Sequence, residues 1–238
     1  MTYSEVVKKA KQELAKRGEH RAGGVELYAC KLWENGDQIN LWSYWQGYQI
    51  EDIDQGIDIL LVGQDWGNPE WDKDVANRIE KIQNGEDASY CEKLLSPTDK
   101  NLIELFEELG CKITDRNPGK RILFTNYCLG YRKGKQTGGL KPKALALDKE
   151  LFDDLVKAVH PKTIICLGKI TYEAVTSEKV VDYVKHLKDG QPFISSYPGN
   201  SEIKVFGVPH CGARGSSNVG GINKMKEIWG KIAFVLSD

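Results

Sequence analysis

Runs of apolar residues alternate along the chain with segments in which apolar positions recur every three or four residues. Four runs predict buried β-strands by their length and content: residues 57–62 (IDILLV), 121–125 (RILFT), 163–167 (TIICL) and 203–208 (IKVFGV). The amphipathic segments predict helices over residues 99–109, 148–159, 169–176 and 222–235. Because strands alternate with helices, the pattern predicts a three-layer α/β/α fold around a central, mostly parallel sheet of four strands.

The first 56 residues add a helix and an aromatic-rich extension to this core. Thr2 and Glu5 have the spacing of a capping box, and Gly18 can end the helix that follows them. Residues 20–56 carry several large aromatic side chains, among them Trp33, Trp42, Tyr44, Trp45 and Tyr48. We expect loops packed over a core edge there, and a platform for stacking bases is the alternative. Without an internal repeat or a long linker, residues 1–238 are expected to form a single domain.

Composition and charge exclude several classes of protein. No apolar run approaches the roughly 18 residues that span a bilayer, and the charged N-terminus has no apolar signal core, so we expect a cytoplasmic protein. The formal net charge of -1 is not that of a generic nucleic-acid binder, although a local basic patch is sufficient for binding. The six cysteines are isolated and form no CxxC pair, which indicates neither a zinc ribbon nor a redox pair.

Three of the four predicted strands lead into a turn with a chemically useful side chain. Asp65 follows the first strand, Asn126 ends the second and His210 follows the fourth. Each residue has a simpler explanation, as a cap, a turn residue or a surface histidine respectively. However, ligands in such sheets bind beyond the carboxyl ends of the strands. The shared position of the three residues therefore predicts a site made of a carboxylate, an amide and an imidazole.

Longer motifs surround these positions. They are ILLVGQDWG, ILFTNYCLG, LFDDLVKAVHPKTIICLGKITYEAV and VFGVPHCGARG. In this order they resemble the first motif, the central strand, a helix–strand–helix and the last motif of the uracil-DNA glycosylase superfamily. The third is similar to the shorter microbial branches. The resemblance covers roughly residues 57–236.

The resemblance implies a hydrolase of base excision repair, which flips uracil or a related deaminated base out of DNA and cleaves its N-glycosidic bond. Asp65 corresponds to the family's carboxylate, which stabilises the sugar cation and orients the attacking water. His210 corresponds to the histidine that donates a hydrogen bond to the departing base. Asn126 would bind the uracil edge with an acceptor and a donor. Gln64 would contribute mainly through its backbone.

The chain departs from the best-known branch of this family after Asp65. That branch has proline and then an aromatic residue that excludes the methyl group of thymine, whereas this chain has Trp66 and Gly67. Gly67 with Glu70 resembles a branch in which the glutamate does the screening. That branch usually carries an iron–sulfur cluster, but this chain lacks the cysteine pairs, so we expect no metal and no cofactor. Tyr90 is our choice for the aromatic residue that stacks on the flipped base.

Two segments are candidates for contact with the DNA backbone. The loop 131–143 has five basic residues and no acid, so it either faces phosphates or is ordinary solvated surface. The stretch 212–224 is rich in Gly, Ser and Asn and can approach a backbone closely. It has arginine where the family often has a leucine wedge. The predicted DNA-binding residues are Arg132, Lys133, Lys135, Gly212, Arg214 and Ser216.

The leading interpretation is a monomeric, monofunctional glycosylase acting on uracil-containing or otherwise damaged DNA. The first alternative is a non-catalytic or repurposed member of the superfamily that binds nucleotides or nucleic acid. Two departures from the family favour it: the aromatic residue that excludes thymine is absent, and an arginine replaces the leucine wedge. The second alternative is an unrelated α/β enzyme acting on a small nucleotide or sugar.

Overall fold

The structure is a computed structural model, and it describes residues 1–17, 20–22, 25–28, 52–65, 96–114, 118–128, 131–132 and 140–237. The strands in these ranges are β1 (His20–Ala22), β2 (Val25–Tyr28), β3 (Ile57–Gly63), β4 (Ile122–Asn126), β5 (Tyr131–Arg132), β6 (Pro161–Leu167), β7 (Phe193–Tyr197) and β8 (Asn200–Val208). The helices there are α1 (Tyr3–Arg17), α2 (Pro97–Glu108), α3 (Pro142–Ala146), α4 (Lys149–Val159), α5 (Lys169–Thr176), α6 (Tyr183–Lys188), α7 (Ala213–Val219) and α8 (Ile222–Ser237), with a 3-10 turn at Ile53–Gln55.

The central sheet has the strand order β4-β3-β6-β8-β7. The first four of these strands run parallel and β7 runs antiparallel to β8. Helices flank this sheet, and among them α1 packs against α4 while α2 packs against α8. The predicted three-layer α/β/α fold with a mostly parallel sheet is therefore confirmed.

The sheet has five strands in place of the predicted four. The additional strand, β7, lies at the edge and forms a hairpin with β8 through a tight turn, in which Gly199 has φ 85°. Its sequence, FISSY, has two serines, and Ile194 and Ser196 are exposed. An edge strand buries little of its surface, so it does not show the continuous apolar run by which the parallel strands were found.

Local sequence accounts for the helix boundaries. The Thr2–Glu5 capping box is confirmed, since the Thr2 N–H donates to Glu5 Oε2 at 2.7 Å and the Glu5 N–H donates to Thr2 Oγ1 at 3.3 Å. Ser96 and Asp99 form a second reciprocal box at the start of α2. Helix α4 ends where His160 adopts the left-handed conformation immediately before a proline, as the sequence predicts.

Buried apolar side chains from α1 to α8 form one cluster around the central sheet. Trp229 of α8 is fully buried and meets Phe106 of α2 edge to face, with ring centroids 5.3 Å apart. Within the described ranges, no helix combines the length and apolarity needed to cross a bilayer.

A small second sheet with the strand order β1-β2-β5 corrects the prediction of a continuous loop over residues 131–143. Tyr131 and Arg132 pair with Tyr28 and Leu27 as a short strand, and Pro142 begins helix α3. Pairing with a strand about a hundred residues earlier leaves no local signal in the sequence. The aromatic residues between positions 33 and 48 lie outside the described residues.

Candidate functional site

The register of the central sheet brings Asp65 and His210 to the same level of its carboxyl edge. Val62 pairs with Cys166, and Cys166 pairs with Gly207. Asp65 and His210 each lie three residues beyond this row. Two strand spacings, or about 10 Å, separate β3 from β8, and the intervening strand β6 is followed directly by Gly168. Because residue 168 is a glycine, it adds no side chain of its own between these two positions.

Gly168 is suited to this position by its backbone as well as by its size. Its φ of 96° is rarely adopted by residues with a side chain, and a Cβ on it would lie 3.9 Å from the Cβ of His210. Its N–H donates to the carbonyl of Val208 at 2.8 Å, which ties the end of β6 to the end of β8. The sequence showed only a Gly-Lys turn here, with no carboxylate, amide or imidazole to mark a site.

Asn126 occupies the neighbouring position on the same edge, where it pairs with Gly63 of β3. It is 7% exposed, and its Oδ1 would lie only 2.1 Å from a Cβ placed on Gly63. The carboxamide therefore lies directly over the glycine. No hydrogen bond joins this carboxamide to another of the described residues.

Gln64 links three parts of the site. Its Nε2 donates to Asp65 Oδ1 at 2.6 Å, and its Oε1 accepts the N–H of Leu140 at 2.9 Å. Its main-chain carbonyl accepts the N–H of Cys128 at 2.9 Å, just after β4. The prediction that Gln64 acts mainly through its backbone stays a prediction for any ligand, but its side chain has a clear structural role in orienting Asp65.

The tautomer of His210 follows from its main-chain contact. The N–H of Gly212 donates to His210 Nδ1 at 2.9 Å. Because an amide N–H can only donate, Nδ1 must be the unprotonated nitrogen, and the neutral ring carries its proton on Nε2. The site therefore presents an imidazole whose Nε2–H is available as a donor.

The neutral form of His210 is favoured by its surroundings. Desolvation by the surrounding protein lowers the pKa of the imidazole below its usual value, although the residue as a whole is exposed to solvent, which moderates this effect. The negative charge of Asp65 acts in the opposite direction and raises this pKa. Residues 145 positions apart in the sequence therefore interact electrostatically, as their placement at strand ends predicts.

Helices α7 and α2 both contact the turn that carries His210. A Cβ on Gly215 would lie 1.9 Å from the carbonyl oxygen of His210, so α7 contacts this main chain directly. From α2, Asn101 Nδ2 donates to the carbonyl of Cys211 at 2.7 Å. Asn101 was not predicted from the sequence, because a single polar residue on an amphipathic helix has no distinguishing signal.

The predicted DNA-binding stretch 212–224 is mostly helical. Gly212 caps α7, the exposed Arg214 and partly exposed Ser216 lie within that helix, and the glycine pair at 220–221 separates it from α8. Helix α7 was not predicted because glycine and serine are weak helix formers. It packs on the main chain of His210 through Gly215.

Several predicted site residues have no structural account. Gly67, Glu70, Tyr90, Lys133 and Lys135 lie outside the described residues, and Arg132 pairs with Leu27 in strand β5. Their roles stay predictions.

The described residues contain no group of three or more His, Cys, Asp or Glu side chains that could hold a metal ion. Cys111, Cys166 and Cys211 are buried thiols, and burial raises the pKa of each. The absence of a metal and of a cofactor remains a prediction. Comparison of the chain with protein-family models and with curated protein sequences found no match.

Proposed function

We propose that this chain is a DNA glycosylase that hydrolyses the N-glycosidic bond of uracil or a related deaminated base in DNA. The observation that carries the proposal is that the Asp65 carboxylate acts electrostatically on His210, whose Nδ1 accepts the Gly212 N–H and whose neutral ring therefore carries its proton on Nε2. Such hydrolysis develops positive charge on the sugar and negative charge on the base. A carboxylate facing a neutral hydrogen-bond donor matches both charges.

Each polar group has a distinct task in this reaction. The bond from C1′ to the base nitrogen breaks, and the base leaves with the electron pair. The Asp65 carboxylate stabilises the cationic sugar and orients the water that adds to C1′. This water releases one proton to the solvent, and the departing base anion takes one up from the solvent. The His210 Nε2–H donates to the base oxygen on which negative charge accumulates. A neutral donor is sufficient, because it needs only to strengthen its hydrogen bond in the transition state.

Asn126 is proposed to recognise the base. Its buried carboxamide has one acceptor and two donors, and no described residue satisfies them. A flipped uracil presents a donor and an acceptor on one edge, so it can bind both ends of this amide. The positions of Gly67 and Glu70 in the sequence support a role for Glu70 in excluding the methyl group of thymine beside the ring. Tyr90 is proposed to stack on the face of the base.

The remaining surface around the site is proposed to bind DNA. Arg214 is exposed on α7 directly after the His210 turn, and Arg132, Lys133 and Lys135 follow Asn126 in the sequence. Together with Gly212 and Ser216 they would contact the sugar–phosphate backbone. We further propose that the protein acts as a monomer in the cytoplasm, without a cofactor.

Single-turnover excision from oligonucleotides with one uracil, single- and double-stranded, tests this function. We expect excision by the wild-type protein and losses of roughly 10–1000-fold for Asp65→Asn, Asn126→Ala and His210→Ala. His160→Asn is the matched control, because His160 lies at the opposite edge of the sheet in a left-handed conformation that asparagine tolerates. Binding of the oligonucleotide without excision would favour a non-catalytic member. A protein that does not bind the oligonucleotide and does not excise the base would contradict the proposal.

A further inference from the structure

One peptide group connects helix α2 to the imidazole of His210. The carbonyl of Cys211 accepts a hydrogen bond from Asn101 Nδ2 at 2.7 Å, and the N–H of Gly212 donates to His210 Nδ1 at 2.9 Å. These two groups are the opposite ends of the same Cys211–Gly212 peptide unit. Because a peptide unit is planar and rigid, a contact that orients one end also orients the other.

The chemistry of these groups determines which atom donates and which accepts in each of the two hydrogen bonds. A carbonyl oxygen only accepts, so the amide nitrogen of Asn101 must face Cys211. The Gly212 N–H only donates, so His210 Nδ1 must be unprotonated. The chain therefore has a single direction, from the Asn101 amide through the peptide to the ring. Hydrogen bonds arranged in this way polarise one another, which makes the Gly212 N–H a stronger donor.

The packing around the peptide leaves it few other orientations. A Cβ on Gly212 would meet His210 Nδ1 at 3.0 Å and Thr98 Oγ1 at 3.2 Å, so the turn lies between the ring and the first turn of α2. Asn101 is partly buried and comes from a helix that begins with a complete capping box and packs on α8. The donor is thus held by a rigid element, 110 residues away in the sequence from the carbonyl that it orients.

We propose that Asn101 is a positioning residue that sets the tautomer and orientation of His210 through the Cys211–Gly212 peptide group. This inference rests on the proposed function only for its effect on excision. Asn101 does not touch the reacting atoms. Without the Asn101 donor the peptide loses the hydrogen bond that selects among its few orientations, the contact from the Gly212 N–H to Nδ1 weakens, and the proton of the neutral ring distributes between its two nitrogens. A fraction of the molecules then lacks the Nε2–H donor.

The tautomer can be measured directly in full-length protein with ¹⁵N-labelled histidine. The chain has four histidines, and the His210→Gln variant identifies the His210 signals. We expect wild-type His210 to show an unprotonated Nδ1 and a protonated Nε2 above its pKa. Asn101→Asp keeps the shape of the side chain but places an acceptor against the Cys211 carbonyl. It should yield a mixture of tautomers.

Excision kinetics supply the second measurement. Asn101→Asp should lower the single-turnover rate about tenfold, as expected for one lost peptide hydrogen bond, while the Kd for substrate DNA changes less than about twofold. Lys100→Ala, an exposed neighbour on α2, is the matched control and should change neither quantity. If Asn101→Asp does not fold, Asn101→Ala replaces it, because it removes the donor without adding a charge.

The outcomes separate the two proposals. An unchanged His210 tautomer in the Asn101 variant overturns the positioning role, whatever the enzyme does to DNA. A wild-type protein that excises no base overturns the proposed function, but a tautomer change in Asn101→Asp would still support the peptide link. A reduced rate with an unchanged tautomer would mean that Asn101 has a merely structural role, and it would also count against this inference.

Discussion

The carboxamide of Asn126 lies over the Cα of Gly63, so close that a Cβ on this glycine would be 2.1 Å from Oδ1. The two residues are paired in adjacent parallel strands, one step before the Gln64–Asp65 turn. Gly63 thus allows the proposed base-binding amide and the proposed catalytic carboxylate to be neighbours.

Gly63→Ala should therefore impair the site while leaving the fold largely intact. The new methyl group meets the end of a flexible side chain, so the Asn126 carboxamide can move aside at little cost in stability. Misplacing this group by about 1 Å should slow excision by up to about 100-fold. Single-turnover rates and thermal melts measure the two effects separately. An unchanged rate would argue against a role for Asn126 in binding the base.

Gly215→Ala should instead destabilise the protein. Its Cβ would lie 1.9 Å from the main-chain oxygen of His210 and 2.8 Å from the carbonyl carbon, and main chain cannot move aside cheaply. We expect a loss of about 1–3 kcal/mol in the free energy of unfolding, as in an overpacked core, together with lower activity.

Gly230→Ala in α8 is the matched control for that substitution. Among the described residues, no heavy atom outside the adjacent turns of its own helix lies within 4 Å of its Cβ position, so the change should stabilise the helix by about 0.5–1 kcal/mol. Urea denaturation measures the free energy of unfolding of both variants. Equal changes in the two variants would contradict the prediction.

The pH dependence of excision should reflect the lowered pKa of His210. Desolvation disfavours the charged ring, so the neutral form persists as the pH falls through the ordinary histidine value of about 6.5. The excision rate should hold its plateau through this value and decline only at lower pH. Asp65→Asn should lower the His210 pKa further, because the carboxylate charge raises it. An NMR titration checks both directions, and a wild-type pKa at or above 6.5 would contradict them.

Replacing Lys133 and Lys135 by alanine should weaken DNA binding for all sequences alike. If both contact phosphates, the slope of log Kobs against log salt should decrease by about one for each lost contact. Lys162→Ala is the control, because Lys162 pairs with Asp58 at the opposite end of the strands. An unchanged slope in the double variant would assign the two lysines to ordinary solvated surface.

Glu70→Ala should broaden the range of excised bases. If the carboxylate fills the space beside C5 that Gly67 leaves open, its removal admits the methyl group of thymine. A pocket that discriminates by one methyl group gains only about 1–3 kcal/mol, so the change in selectivity should be modest. Excision of uracil and of thymine opposite guanine is compared for the two proteins. An identical ratio would exclude Glu70 from the pocket.

Local sequence was sufficient to predict the parallel core of the fold. Residues 57–62 and 163–167 were recognised as strands because a strand buried on both faces must be apolar throughout. The capping box at Thr2 and the helix end at His160 were recognised because their chemistry lies within a few residues. Strand β7 was missed because its one buried face leaves no such run, and α7 because its glycines and serines are poor helix formers.

The sequence also predicted that Asp65, Asn126 and His210 share one edge of the sheet, since parallel strands place their carboxyl ends together. What it could not determine is which atoms meet there. The protonated nitrogen of His210 depends on the Gly212 N–H, and the orientation of that peptide depends on Asn101, far away in the chain. Directional hydrogen bonds between distant segments have no periodicity in sequence, so only the tertiary structure decided the state of the imidazole.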